Sequence, residues 1–302
     1  MSRSPLELPS ALKKAPTAGE AEAAKSLILV AEDNRTNQVV IRMQLNNLGY
    51  AAEIVSDGLK ALQAWRTGRY SILLSDIHMP EMDGLDLVAA IRKEEQDKGE
   101  HLPVIAITAN AMHGESQRCL NAGMDDYLSK PLEMEKLAEM LEKWMPQVVH
   151  QKDQGKNSPE QQEENETGMS TPGEPENMND VAPADISLVT EIFAGDVEKI
   201  QTFLDHFTGS AKTYVEEIHK AFSEKSARRI GEWAHKLKSP AGYVGAKALA
   251  GLCEELEKAG YEENWDEIPA GISRLDGLLN EVITHIENID LGSGSGTGET
   301  TG

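Results

Sequence analysis

The sequence predicts two domains of different class: an α/β domain on a doubly wound, five-stranded parallel sheet, then an all-α antiparallel helix bundle. Three observations carry that expectation. Short apolar runs alternate with helix-period segments between residues 26 and 148, only the helical period is present between residues 184 and 291, and a polar stretch separates the two. A length of 302 residues leaves room for two or three domains at the usual ~100–200 residues each.

Taken in order, residues 1–25 mix Ser, Pro, Ala and Lys without a sustained apolar stripe and read as a flexible leader. SLILVAED is the first strand, ending in acids. Ile41, Leu45 and Leu48 then fall at i, i+4 and i+7 of a helix closed by Gly49. AAEIVS is the second strand, and Asp57-Gly58 opens a helix with Ala61, Leu62 and Trp65 on one face. SILLSD is the third strand, HMPEMDG a turn-rich loop and LDLVAAIRKEEQ the third helix. PVIAITA and DYLS are strands four and five, and Leu137, Leu141 and Trp144 mark a last amphipathic helix. Strands this uniformly apolar belong in a parallel sheet covered on both faces.

Residues 149–183 hold two basic and eight acidic residues and almost nothing apolar. Such a segment buries too little surface to offset its ordering entropy and is expected to be a disordered linker. A flexible chain of that length has an r.m.s. span of roughly 30–35 Å, which keeps its two ends at effective concentrations on the order of millimolar. Beyond it, Val189, Ile192, Ile200, Phe203, Phe207, Ile230, Leu237, Leu249, Leu256, Leu275, Leu279 and Ile286 repeat at helical spacing, as in a bundle of four or more helices over 184–291. Residues 292–302, GSGSGTGETTG with its flanks, read as a flexible tail.

Charge excludes some partners. With 29 Lys+Arg against 51 Asp+Glu, a net of −22, the chain lacks the basic face that nucleic acids or an anionic membrane require. Two cysteines, Cys119 and Cys253, are too few for a disulfide scaffold or a four-ligand zinc site and read as buried helical residues in a reducing compartment. There is no apolar run of membrane-spanning length and no secretory h-region, so the expected location is cytoplasmic.

The candidate chemistry sits at strand ends. Glu32 and Asp33 follow strand one, Asp76 ends strand three, Thr108 strand four, and Lys130 follows strand five. In a doubly wound sheet these converge on one edge. Three carboxylates so close raise one another's pKa values unless a cation sits among them, and hard oxygens with room for water suit Mg²⁺. In the helical half, Ile230, Ala234, Leu237, Ala241 and Val244 form one stripe. His235 lies roughly 140° from its centre, which places it on the solvent face. Lys238 sits one turn on, with small Ser239 and Gly242 beside it. A neutral imidazole there can attack phosphorus near neutral pH, and the Lys can attract phosphate. His101, His113, His150, His206, His219 and His285 read as structural.

AEDN, LLSDIHMPEMDG, AITAN and DDYLSKP, at these spacings, resemble the receiver domain of two-component response regulators over residues 26–148. The resemblance implies a flavodoxin-like fold in which Asp76 accepts a phosphoryl group from a phosphohistidine. It implies that Glu32, Asp33, Asp76 and the backbone carbonyl of His78 hold Mg²⁺. Thr108 would contact the phosphoryl group, Lys130 pair with it and Tyr127 act as the switch aromatic, with a cis bond before Pro131. His78 and Asn110 occupy positions that tune phosphate lifetime in that family. HKLKSPAGYVGA resembles the motif of histidine-containing phosphotransfer (HPt) domains, which makes His235 the acceptor and Lys238 its supporting cation. Pro240 departs from the usual pattern and predicts a kink close to His235.

Receiver, linker, then HPt is the order at the C-terminal end of unorthodox hybrid sensor histidine kinases. No phosphoacceptor dimerisation helix and no ATP-lid motif is found in the sequence, so autophosphorylation from ATP is not expected. The chain reads as the tail of such a kinase rather than a standalone relay protein. The implied partners are an upstream histidine kinase transmitter and the receiver of a downstream response regulator. Two alternatives stand beside forward relay: a phosphate sink running from His235 to Asp76, and a receiver with an inert helical adaptor. An aspartyl-phosphate hydrolase would place a second acid two residues after its nucleophile, where this chain has His78.

Overall fold

The computed structural model describes residues 15–96, 99–108, 113–145 and 182–291. Their first half is the doubly wound sheet: β1 (Ile28–Ala31), α2 (Arg35–Asn47), β2 (Ala52–Val55), α3 (Gly58–Trp65), β3 (Ile72–Asp76), α4 (Gly84–Glu95), β4 (Val104–Thr108), α5 (His113–Ala122), β5 (Asp126–Ser129) and α6 (Met134–Trp144), preceded by a short α1 (Ala18–Ala23). All strands run parallel in the order β2-β1-β3-β4-β5. Side chains alternate across the sheet. Leu29, Leu73 and Ala106 enter one core, while Ile28, Val30, Leu74, Ile105 and Ile107 enter the other.

Local chemistry starts and stops these helices, at Asp57 and Gly49 as the sequence suggested. Asn34, Asp57 and Asp83 cap α2, α3 and α4 by accepting from backbone N–H groups one turn on. Gly49, at φ 80°, ends α2 in the left-handed conformation. Residues 18–23 of the supposed flexible leader form α1, with a Thr17/Glu20 capping box, Ala21 fully buried and Glu22 paired to Arg69 at 2.8 Å. The helix α5 between strands four and five carries Cys119, fully buried as expected of a helical residue, but HGESQRCLNA is polar and its bounds had no apolar stripe to mark them.

The second half is helical throughout: α7 (Ser187–Ile192), α8 (Val197–Ser223), α9 (Ala227–Tyr243), α10 (Lys247–Tyr261) and α11 (Ile268–Glu287). The four long helices close a ring of contacts, α8 against α9, α9 against α10, α10 against α11 and α11 against α8. Phe207, Ile230, Leu237, Leu256 and Leu275 fill its core. Pro240 does not break α9, which runs on to Tyr243. The bundle core continues onto the α/β half: Val40 of α2, fully buried, belongs to it and Met43 packs on it. Residues 149–181, Asn110 and the 292–302 tail, for which disorder, a tuning role and flexibility were expected respectively, lie outside the described residues.

Candidate functional site

Strand geometry gathers the predicted acidic residues. Asp76 ends β3 and Glu32 follows β1, both buried, and Lys130 follows β5 with only 2% of its side chain exposed. The Lys130 ammonium reaches Asp76 Oδ2 at 2.6 Å and Glu32 Oε2 at 2.7 Å. Asn37 Nδ2 and the Asn34 N–H donate to Glu32 Oε1 at 2.9 and 3.2 Å, and the His78 N–H donates to Asp76 Oδ1 at 3.2 Å. Thr108 is buried at the end of β4. Lys130–Pro131 is cis. Tyr127 lies on β5 with its side chain exposed.

Mutual repulsion among the acids was expected to raise their pKa values unless a cation sat among them, and Glu32 and Asp76 part company on this point. Burial, added to by the charge of Asp76, pushes Glu32 up to about 7 against the opposing pull of Lys130. Asp76 goes the other way: burial alone would raise it, but Lys130, His235 and His78 hold it below the ordinary carboxylate range. The cation that settles the site is thus Lys130.

His235 corrects the sequence reading. Its side of α9 does not face solvent, because the α/β half covers it and leaves the residue 9% exposed, with Lys238 and Ser239 buried alongside. His235 Nδ1 pairs with Glu257 Oε1 of α10 at 2.7 Å, and Lys238 Nζ with Glu257 Oε2 at 2.6 Å. The hydrogen bond to His235 and the ammonium of Lys238 overcome the effect of burial on Glu257 and hold its carboxyl down at about 2. A close approach of helices puts Glu257 there: a Cβ on Gly260 would lie 2.5 Å from the Gly231 nitrogen. Glu257 escaped the sequence reading because nothing in CEELEKAGY marks one acid among three.

Asp76, His78 and His235 each bring a side-chain polar atom within 4.8 Å of the others. The His78 and His235 rings lie 4.9 Å apart at 64°, and Tyr261 stacks on His78 at 6.3 Å and 22°. A cleft of about 710 Å³ opens here between Asp33, His78, Arg118, His235, Lys236 and Glu257. Around it the halves are joined by Lys236 Nζ to Asp33 Oδ2 at 2.7 Å, Asn34 Nδ2 to the Lys236 carbonyl at 2.9 Å, and the Leu132 N–H to the Tyr243 hydroxyl at 3.2 Å. Asn47 Nδ2 donates to the Ile192 carbonyl at 2.7 Å. His206, read as merely structural, pairs with Thr36 across the same junction at 3.2 Å.

The acidic cluster fits a hard divalent cation. Carboxylate oxygens of Glu32, Asp33 and Asp76 lie within 4.8 Å of one another, and hard oxygen donors gathered so closely suit a cation such as Mg²⁺.

Comparison with known proteins matches residues 28–142 to the family described as response regulator receiver domain and residues 202–288 to the Hpt domain. The sensor histidine kinase GacS of Pseudomonas protegens is 29% identical over 82% of this chain and 26% of its own length. The aerobic respiration control sensor protein ArcB of Escherichia coli is 30% identical over 76% of this chain and 27% of its own. The chain therefore spans only about a quarter of these relatives. Among solved structures, the receiver domain of the sensor histidine kinase PA1611 from Pseudomonas aeruginosa, with magnesium in its active-site cleft, is 40% identical over 40% of this chain and 98% of that one, with a TM-score of 0.37.

Proposed function

The chain joins a response regulator receiver domain to an Hpt domain, and on that premise we propose that it carries a phosphoryl group in two steps, from a histidine kinase transmitter to Asp76 and from Asp76 to His235. One observation carries this reading: the carboxylate and the imidazole lie within 4.8 Å across the junction of the two domains. From His235 the phosphoryl group passes to the aspartate of a separate response regulator. The segment works on the cytoplasmic side, where a kinase transmitter can reach it.

In the first step an Asp76 oxygen attacks phosphorus and the P–N bond to the donor imidazole breaks. Lys130 balances charge on the carboxylate and, with Thr108, on the phosphoryl oxygens. Glu32, Asp33 and Asp76, with the His78 backbone carbonyl, would hold Mg²⁺, which when bound offsets the charge that spreads over those oxygens. In the second step His235 is the nucleophile. Its Nδ1–H donates to Glu257, leaving the Nε2 lone pair for phosphorus. The P–O bond to Asp76 breaks, the carboxylate returns to Lys130, and Glu257 stabilises the positive charge of the phosphorylated ring. Burial of both acceptors keeps water from the mixed anhydride. Tyr127, exposed on β5, is left to report the phosphorylated state at the surface.

Phosphate labelling tests the route. With an acyl-phosphate donor and Mg²⁺, acid-labile phosphate is expected on His235 of the intact chain and is lost in Asp76→Ala, whereas His235→Ala still labels Asp76. A His235 that never labels while Asp76 does would sink the second step. Mg²⁺ titrated against amide shifts should saturate, and an unchanged response in Asp33→Ala would remove Asp33 from the cation site.

A further inference from the structure

Pro240 has a consequence at the domain junction. In an uninterrupted helix the N–H of residue 240 would donate to the carbonyl of Lys236, but proline has none. Helix α9 nonetheless continues through it to Tyr243. The Lys236 carbonyl is therefore left without its i+4 donor, a costly condition in partly buried surroundings unless another group supplies one. The receiver does: Asn34 Nδ2 donates to it at 2.9 Å.

The Asn34 amide is aimed before docking. Its Oδ1 caps α2, accepting from Thr36 N at 2.9 Å and Asn37 N at 3.4 Å. That fixes the rotamer and turns Nδ2 outward. The preceding residue, Asp33, takes the Lys236 ammonium at 2.7 Å. One HPt residue thus meets two consecutive receiver residues, side chain to side chain and carbonyl to amide.

We infer that Pro240 and Asn34 form a recognition element: the proline exposes the Lys236 carbonyl as a docking acceptor, and the surface fits a receiver whose acidic pair is followed by an amide side chain. This deepens the relay reading, since it takes the docked partner to be a receiver, but the contact can be measured without phosphate.

The test is a zero-length carbodiimide cross-link between Asp33 and Lys236 in the full chain, located by mass spectrometry. It is run without phosphoryl donor, at the salt concentration that halves the wild-type yield. Asn34→Ser keeps an oxygen to cap α2 and removes the amide donor; Pro240→Ala restores the helical N–H. Asn34→Ser is expected to lower the yield roughly five-fold beside Pro240, the scale of one lost hydrogen bond. In the Pro240→Ala background it should matter less than about two-fold, because the carbonyl is already satisfied. Equal effects in both backgrounds, or none beside Pro240, overturn the inference. If Asn34→Ser melts α2, Asn34→Asp retains the cap and lacks the donor, and the same comparison decides. A cross-link that behaves as stated while His235 stays unlabelled would refute the relay and leave the docking element standing.

Discussion

The surroundings of Asp76 and His235, the two acceptors proposed above, solve opposite electrostatic problems. Asp76 sits among acids at the ends of β1 and β3 and is kept charged by a buried ammonium drawn from the far strand, β5. His235 sits on a helix beside a lysine and is oriented by a buried carboxylate, Glu257, from the next helix. A carboxylate nucleophile needs its surplus negative charge balanced. An imidazole nucleophile needs one nitrogen occupied so that the other is free, and an anion to meet the charge that develops on transfer. Each acceptor is paired with the counter-charge that its own chemistry requires.

The largest effect should come from removing the counter-charge of the first site. Lys130→Met leaves Glu32 and Asp76 buried without their ammonium and is expected to cost the receiver about 3–5 kcal/mol, read as a fall in the denaturant midpoint in chelator, with Mg²⁺ narrowing the gap. A loss below about 1 kcal/mol would show that the two acids need no fixed cation.

The second site should be sensitive to acid instead. Because the carboxyl of Glu257 is depressed to about 2 from 4.5, its contribution is fully present above about pH 4.5 and is lost as pH falls through about 2. At roughly 1.4 kcal/mol per unit this amounts to about 3 kcal/mol. Glu257→Gln should flatten that acid limb in the helical half and slow phosphorylation of His235 while leaving Asp76 labelling intact. A variant with unchanged acid stability would break the pairing of Glu257 with His235.

Smaller effects separate close backbone approach from mere glycine content. A Cβ on Gly84 would lie 2.3 Å from the Asp76 carbonyl oxygen, and one on Gly260 2.5 Å from the Gly231 nitrogen. Gly84→Ala and Gly260→Ala are each expected to cost about 1–3 kcal/mol, the first impairing Asp76 labelling and the second only His235 labelling. Gly277 in α11, where an added Cβ would meet nothing within 4 Å, is the smallest case: Gly277→Ala should stabilise the helix by about 0.5–1 kcal/mol and leave both labels alone.

The receiver site was largely legible in advance because strand ends are dictated by local pattern. An apolar run four or five residues long announces a buried strand, and the polar residue that closes it lies at the sheet edge, so Glu32, Asp76, Thr108 and Lys130 could be placed in one neighbourhood from spacing alone. The bounds of α5 were not legible beyond the helical setting of Cys119, since His113–Ala122 is polar and its helicity owes little to an apolar stripe. α1 was missed because its Thr17/Glu20 capping box and single buried alanine are a faint signal in six residues. His235 was read as lying on a solvent face, whereas it is buried against the α/β half. Helical periodicity separates the face that meets the bundle core from the opposite face, but it does not say what covers the latter.

By itself, then, the sequence determined two folds and the convergence of the acids and lysine at one sheet edge, because these follow from periodicity, capping and residue chemistry within a few turns of chain. The tertiary structure decided what lies between sequence-distant positions: Glu257 against His235, Asn34 against the carbonyl that Pro240 leaves open, His78 against His235, and the burial of an imidazole that its own helix would expose. Those contacts depend on how two finished surfaces meet, and pairings across 22 to 202 residues of chain leave no local pattern from which to foresee them.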